Sequence, residues 1–422
     1  MRVASVIVDI ATRSLDGAFT YSVPTDCASV QVGCAVLVGF GKRRAVGYVT
    51  AVEDVEEDDV PHAVKPILSV LSEPYFDEDG AALVDFLASR YVAPPASCAR
   101  LLTPAGRRPP VSHADGTWVL KRPPARRAQA SSPVATEQDP PSAPPALTEG
   151  QEKAVRAITR ARKLARGDVV VVDGVTGSGK TEVYLRAIAD VLAQGRGAIA
   201  LVPEISLTPQ TVVRFEARFG STVAVMHSNM TQAERFDQWK AARDGTCRIV
   251  VGPRSALFAP VRDLGIIIID EEHESTYKQE SAPRYHARDV AAWIARRRGI
   301  PLVLGSATPS IEALDACAHD ELWHRVSMPV RVNGRPLPDI RIVDMAREFG
   351  SGSRMMFSRE LSDAIVEAVD AGRKVVLMLN KRGFASFLLC RECGFVPECP
   401  TCSVSLTYHE VDHALVCHHC GR

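Results

Sequence analysis

Lys180 and Thr181 close the run Gly174-Val175-Thr176-Gly177-Ser178-Gly179-Lys180-Thr181, a G-x-x-x-x-G-K-T spacing. Its glycines permit a tight turn whose successive backbone N–H groups, with the following helix N-terminus, point at phosphate oxygens. Lys180 would reach the β- and γ-phosphates of ATP, and the Thr181 hydroxyl would help hold Mg²⁺. A second set of groups suits the same reaction. The run Ile266-Ile267-Ile268-Ile269 ends in Asp270-Glu271-Glu272-His273. Asp270 is placed to hold the water shell of Mg²⁺, and Glu271 to orient and deprotonate the attacking water. The plain alternatives are a glycine-rich turn and an acidic turn on a solvated edge. Lys180, Asp270 and Glu271 are the catalytic candidates, and His273 either couples the triphosphate site to its neighbours or caps a turn.

Thr148-Glu149-Gly150-Gln151 has capping-box spacing. Gln151 therefore either caps a helix or holds adenine upstream of the phosphate loop, and local sequence leaves both readings open. Thr208-Pro209 and Thr308-Pro309 read as helix starts, N-cap then N1, whose hydroxyl and N–H donors could also meet phosphate oxygens. Of 11 cysteines, six fall in C-x-x-C pairs between Cys390 and Cys420. Cys399, Cys402, Cys417 and Cys420 have the spacing of one closed four-thiolate Zn²⁺ site. Cys390 and Cys393 form a further pair, half of a second site.

The elements that must position these groups follow from patterning. Val169-Val170-Val171-Val172 is a buried-type strand before the phosphate loop, and helical spacing follows at Tyr184, Ile188 and Val191 up to Gly195. Short apolar runs at residues 198–202, 223–225, 249–251, 266–269 and 302–304 alternate with helical stretches such as 210–219 and 232–243. That alternation predicts an α/β domain with a parallel sheet and ligands at its carboxyl strand ends. Before it, residues 6–8, 19–23, 35–38 and 45–52 read as strands of a small β-rich module, with a helix over 79–91. Prolines crowd residues 104–145, predicting a semi-rigid or disordered linker. A further strand at residues 375–379 would begin a second unit of the motor type.

The chain of 422 residues is long enough for two to four domains. Lys+Arg and Asp+Glu both number 50, so any nucleic-acid surface must be local rather than global. No apolar run approaches the roughly 20 residues of a membrane helix. No signal-peptide pattern opens the chain, which predicts a cytoplasmic protein without a membrane partner.

The ordered set Val202-Pro203-Glu204, Leu207-Thr208-Pro209-Gln210, Gly252-Pro253-Arg254-Ser255, Asp270-Glu271-Glu272-His273 and Gly305-Ser306-Ala307-Thr308-Pro309 resembles superfamily 2 DNA helicases. With Tyr277-Lys278-Gln279, Arg284-Tyr285-His286 and Asn380-Lys381-Arg382-Gly383-Phe384, it resembles the PriA family of bacterial replication-restart helicases. The resemblance implies a RecA-like motor lobe that translocates 3′ to 5′ on single-stranded DNA. It also implies recognition of stalled or abandoned forks and reloading of the replicative helicase. Implied partners are single-stranded and forked DNA, primosome components and single-stranded-DNA-binding protein, on the nucleoid.

The same resemblance assigns DNA contacts to Phe19, Gly41 and Lys65 of a 3′-end-binding module, to Thr208, and to Tyr277 and Tyr285, whose rings would stack on bases. It divides the chain into a 3′-end domain (1–104), a proline-rich linker in place of a winged helix (105–147), motor lobe 1 (148–330), a connector with the start of lobe 2 (331–389) and a truncated zinc region (390–422). Three departures stand out. Thr20 replaces an expected Asp, the remaining cysteine pair is not reached, and the second lobe is incomplete. A fork-binding scaffold that does not unwind is the alternative function.

Overall fold

The computed structural model describes residues 1–10, 17–56, 64–104, 111–114, 117–120, 145–203, 209–336, 338–350, 355–378, 395–409, 414–417 and 419–422. Thr208, Cys390, Cys393, the 380–384 segment and most of the proline-rich stretch lie outside the described residues. The chain divides into two compact units, Met1–Arg335 and Pro336–Arg422.

The first unit opens with strands β1 (Arg2–Val8), β2 (Phe19–Ser22), β3 (Ala35–Phe40), β4 (Arg43–Asp54) and β5 (Ile67–Val70), an antiparallel sheet of order β2-β1-β4-β3-β5. Alternate residues Ala4, Val6 and Val8 of β1, with Val36 and Val38 of β3 and Val49 of β4, fill one face. Ile7, Ala35, Val46 and Tyr48 fill the other, beneath helices α1 (Glu78–Arg90) and α2 (Pro95–Leu101). Asp77 caps α1 by accepting from the Gly80 amide. Asp9, buried at the end of β1, pairs with Arg100 of α2 at 2.5 Å and accepts from the Tyr48 hydroxyl at 3.2 Å. A buried carboxylate needs both partners, and together they fix α2 on the sheet.

Within the stretch expected to be linker, β6 (Val111–Ala114) and β7 (Thr117–Leu120) form an antiparallel hairpin. None of the eight paired residues is a proline, so no pairing N–H is missing from the ladder. Trp118 packs on His113 with centroids 4.9 Å apart, and Arg44 of β4 lies 5.2 Å from its ring centre.

The motor lobe contains α3 (Glu149–Leu164), β8 (Val169–Gly174), α4 (Lys180–Leu192), β9 (Gly197–Leu201), α5 (Pro209–Phe219), β10 (Val223–Val225), α6 (Gln232–Arg243), β11 (Ile249–Gly252), β12 (Leu264–Asp270), α7 (Ala287–Arg298), β13 (Leu302–Ser306), α8 (Ile311–His319) and β14 (Trp323–Met328). Its seven strands are all parallel, in the order β10-β11-β9-β12-β13-β8-β14. Val170 and Val172 face one core while Val169 and Val171 face the other, which explains the unbroken valine run. Edge strand β14 was not expected. Its His324, Arg325 and Ser327 break the apolar signal because an edge strand needs little burial.

Thr308-Pro309 does not start a helix, contrary to expectation. The Thr308 amide is bonded to Ser306 Oγ at 2.9 Å, and Ser310 instead caps α8 by accepting from the Ala313 amide. In the second unit, α9 (Met345–Gly350) and α10 (Arg359–Asp370) precede the antiparallel pair β15 (Thr407–His409) and β16 (Ala414–Val416). The expected strand at 375–379 is not formed over its described residues; Val376 is 92% and Met378 86% exposed. A buried-type run becomes a strand only beside a partner, and β15 with β16 is the only sheet among this unit's described residues.

Candidate active site

At the carboxyl end of β8 the chain turns through Gly177 and Gly179 at φ +84° and +81°, the left-handed region that glycine enters without a Cβ penalty. Gly174 is required for space: a Cβ there would stand 2.6 Å from Ser178 Oγ and 3.1 Å from Lys180 Cγ. Gly179 is the N-cap of α4 and makes no side-chain cap bond, so the first-turn amides are suited to an anionic ligand. Lys180 is nearly buried, its Nζ donating to the Gly174 carbonyl at 2.8 Å beneath the loop. Val175, Thr176, Ser178 and Thr181 complete the loop as the sequence spacing predicts.

Of the two readings of Gln151, the helix cap is formed, and the side chain also reaches the phosphate loop. With Thr148 it makes the reciprocal capping box, and its Nε2 donates to the carbonyls of Ser178 and Gly179 at 3.3 Å each. Its amide thus braces the phosphate loop from α3, so an adenine contact would have to share those donors. Across the loop, the Val332 amide donates to the Gly177 carbonyl at 2.9 Å, and Arg331 lies alongside Gly177 with its Nε buried and unpartnered among the described residues. Nothing in the spacing around Arg331 signals this placement, because the contact is made across the tertiary fold.

Asp270 ends β12, two strands from β8 in the sheet. Its Oδ1 accepts from the Tyr184 hydroxyl of α4 at 2.9 Å. Burial, and then the neighbouring Glu271, raise its pKa; Tyr184 and Lys180 oppose the rise. Glu271 follows at φ +46°, a conformation rare for a residue with a Cβ and typical of a strained functional turn. The left-handed turn separates Glu271 from Glu272. Glu272 is 1% exposed and accepts from Arg288, from the Ser310 amide at 2.6 Å and from the Ser310 hydroxyl at 3.0 Å. It therefore locks α7 and α8 to the acidic turn, a role spacing did not reveal. His273 Nδ1 lies 2.7 Å from Ser306 Oγ, so the ring couples the acidic turn to the end of β13 rather than capping a turn.

Tyr277 and Tyr285 correct an expectation. Both rings are 1% exposed, so neither presents a face for base stacking. Tyr277 instead donates to the Asp270 carbonyl at 2.7 Å, and Tyr285 packs edge-on against Phe258. Phe19, Gly41 and Lys65 do come together. Phe19 meets Phe40 edge-on at 5.3 Å, Gly41 turns at φ +57°, and Lys65 Nζ donates to the Gly41 carbonyl at 3.3 Å. Thr208 lies outside the described residues, as do Cys390 and Cys393.

The Sγ atoms of Cys399, Cys402, Cys417 and Cys420 all lie within 4.8 Å of one another. Four thiolates converging in this way suit a closed tetrahedral zinc site. The β15–β16 hairpin brings the second pair back to the first, and the Cys399 amide is bonded to the Val404 carbonyl. Among the described residues, no helix is long and apolar enough to cross a membrane.

Comparison with known proteins agrees with this layout. The DEAD/DEAH box helicase family matches residues 148–316. A 3′ DNA-binding domain matches residues 5–104, and the Cys-rich region domain of PriA DNA helicases matches residues 399–422. The replication restart protein PriA of Bacillus subtilis is 51% identical over 276 residues, covering 65% of this chain and 34% of that protein. Its counterpart in Treponema pallidum is 38% identical over 415 residues, covering 97% of this chain and 59% of the other. That of Rickettsia felis is 32% identical over 426 residues, covering all of this chain and 60% of the other. The chain thus spans between a third and three-fifths of the length of these relatives.

Proposed function

Because the chain belongs to the PriA family of replication restart proteins, we propose that it carries the ATP-binding lobe of a 3′-to-5′ DNA helicase acting at stalled or abandoned forks. The observation that supports this most directly is that the Lys180 loop follows β8 while Asp270 ends and Glu271 follows β12, two strands away at the same edge of one parallel sheet. There α4 of the loop reaches Asp270 through Tyr184, and the Lys180 charge acts on the Asp270 carboxyl. Loop amides and Lys180 would hold the β- and γ-phosphates, while Thr181 and Asp270 would hold the Mg²⁺ shell. Glu271 would accept a proton from the attacking water, whose oxygen attacks the γ-phosphorus as the bridging bond to ADP breaks.

In this reading the Phe19–Gly41–Lys65 corner of the N-terminal sheet takes the 3′ end of a nascent strand, Phe19 stacking on the terminal base and Lys65 meeting a phosphate. Thr208 would meet the backbone of the tracked strand. Primosome components and single-stranded-DNA-binding protein would be its protein partners on the cytoplasmic nucleoid. Cys390 and Cys393 would supply half of a second zinc site beside the site of Cys399, Cys402, Cys417 and Cys420.

The test is hydrolysis of ATP by the purified chain with and without forked DNA, beside Lys180→Ala and Glu271→Gln. Stimulation by DNA that both substitutions abolish supports a motor. Fork binding with no hydrolysis in any form would leave the non-unwinding scaffold.

A further inference from the structure

Helix α1 of the N-terminal module lies against α7 of the motor lobe within the first compact unit. Phe86 stacks on Trp293 with centroids 5.0 Å apart, and Arg297 bonds Asp79 at 2.9 Å. Tyr91, the residue after α1, reaches further than this packing. Its hydroxyl accepts from the His286 amide at 3.3 Å and donates toward Asp289 Oδ2 at 3.5 Å, while Lys278 Nζ lies 5.3 Å from its ring centre.

Lys278 and His286 are the two ends of one loop, joined to each other by an antiparallel bridge. The Gln279 amide closes the next rung onto the Tyr285 carbonyl at 2.8 Å. One side chain of the N-terminal module therefore touches both strands of this loop's neck. Each strand leads directly to the acidic turn. Tyr277, just before the neck, donates to the Asp270 carbonyl; Arg288, just after it, bonds Glu272. The acidic turn is thus joined to a neck that Tyr91 of the N-terminal module touches from outside the lobe.

We propose that Tyr91 is a positioning residue through which occupancy of the N-terminal module by DNA alters the affinity of the nucleotide site. The inference rests on the proposed function, since it requires that the chain bind both MgATP and DNA. A shift of α1 on DNA binding moves the Tyr91 hydroxyl and ring together, and with them the His286 backbone and the Lys278 side chain. Tyr277 then carries the displacement to the main chain at Asp270. Spatial continuity alone does not establish coupling, whereas reciprocal affinities do.

The experiment measures the dissociation constant of the full chain for a fluorescent, slowly hydrolysed ATP analogue with Mg²⁺, alone and with a saturating single-stranded oligonucleotide bearing a free 3′ end. Tyr91→Phe keeps the ring beneath Lys278 and removes the hydroxyl; Tyr91→Ala removes both. DNA is expected to change analogue affinity by about fivefold or more in the unsubstituted chain, in keeping with ordinary coupling strengths. The ratio should shrink in Tyr91→Phe and fall to about one in Tyr91→Ala, with each ligand's affinity measured alone held within about twofold. Amide hydrogen exchange over 278–286 should respond to DNA in the unsubstituted chain and not in Tyr91→Ala. Equal ratios in all three proteins, or two ligands that bind the unsubstituted chain independently, would overturn the inference and leave the proposed function standing. Failure of the unsubstituted chain to bind the analogue would overturn the proposed function itself.

Discussion

The phenol of Tyr184, on α4, donates to Asp270 at the end of β12, a contact of 2.9 Å between residues 86 positions apart. Room for that phenol is made by a third element: a Cβ on Gly305 of β13 would stand 1.5 Å from the Tyr184 hydroxyl. The glycine of Gly305-Ser306-Ala307-Thr308 therefore serves the acid on the neighbouring strand.

Tyr184→Phe should leave the fold intact and weaken Mg²⁺-dependent nucleotide binding by about tenfold or more. A hydrogen bond to a charged acceptor contributes about 1.5–3 kcal/mol. Gly305→Ala should do the same and also lower the melting temperature, because overpacking a full core costs about 1–3 kcal/mol. Isothermal titration with and without Mg²⁺ reads the first effect and calorimetry the second.

The buried Asp270 carboxyl has a pKa raised above the ordinary 3.8, with burial as the leading cause. The folded chain then binds this proton more tightly than the unfolded chain does. At pH values above the raised pKa both states are ionised and the buried charge costs stability; the cost disappears as pH falls below the ordinary value. Asp270→Asn should raise the melting temperature at pH 7–8, by roughly 2–4 °C for each kcal/mol relieved, and abolish Mg²⁺-dependent nucleotide binding. Unfolding curves for the two proteins should converge in acid. In the unsubstituted chain, Mg²⁺-dependent affinity should begin to fall at a higher pH than an exposed aspartate would give.

Glu271 and Glu272 are adjacent and should separate cleanly. Glu271→Gln is expected to keep nucleotide affinity and stability while hydrolysis is lost. Glu272→Ala leaves Arg288, which is largely buried, without its carboxylate and strands the Ser310 amide, at a cost of about 3–5 kcal/mol. Urea titration should show the difference in midpoint.

Removal of metal should act on the second unit. Cys417→Ser is expected to lower bound zinc by one equivalent and to expose the 395–422 segment to protease, with ATP-analogue affinity unchanged within about twofold. Atomic absorption and limited proteolysis measure the two effects. Retention of zinc in Cys417→Ser would contradict the four-cysteine assignment.

What the residues determine unaided is chemistry carried by short spacing. Gly174 to Thr181 makes its own cradle, because glycine conformations, amide direction and helix start are local. The acidic turn after the isoleucine run and the paired C-x-x-C segments are legible on the same ground, and so is the parallel sheet, from apolar runs that only two buried faces tolerate. Other features were settled by packing between distant segments. Tyr277 and Tyr285 read as base-stacking rings and are buried, since their segment folds back onto Asp270 and Phe258. Residues 375–378 have the composition of a strand and stay in solvent, since composition cannot supply a partner. Glu272 resembles its neighbour Glu271, yet the left-handed residue before it turns its carboxylate inward onto Arg288 and Ser310. A backbone angle and a helix arriving from elsewhere in the chain made that choice, and neither is written in the four letters of the motif.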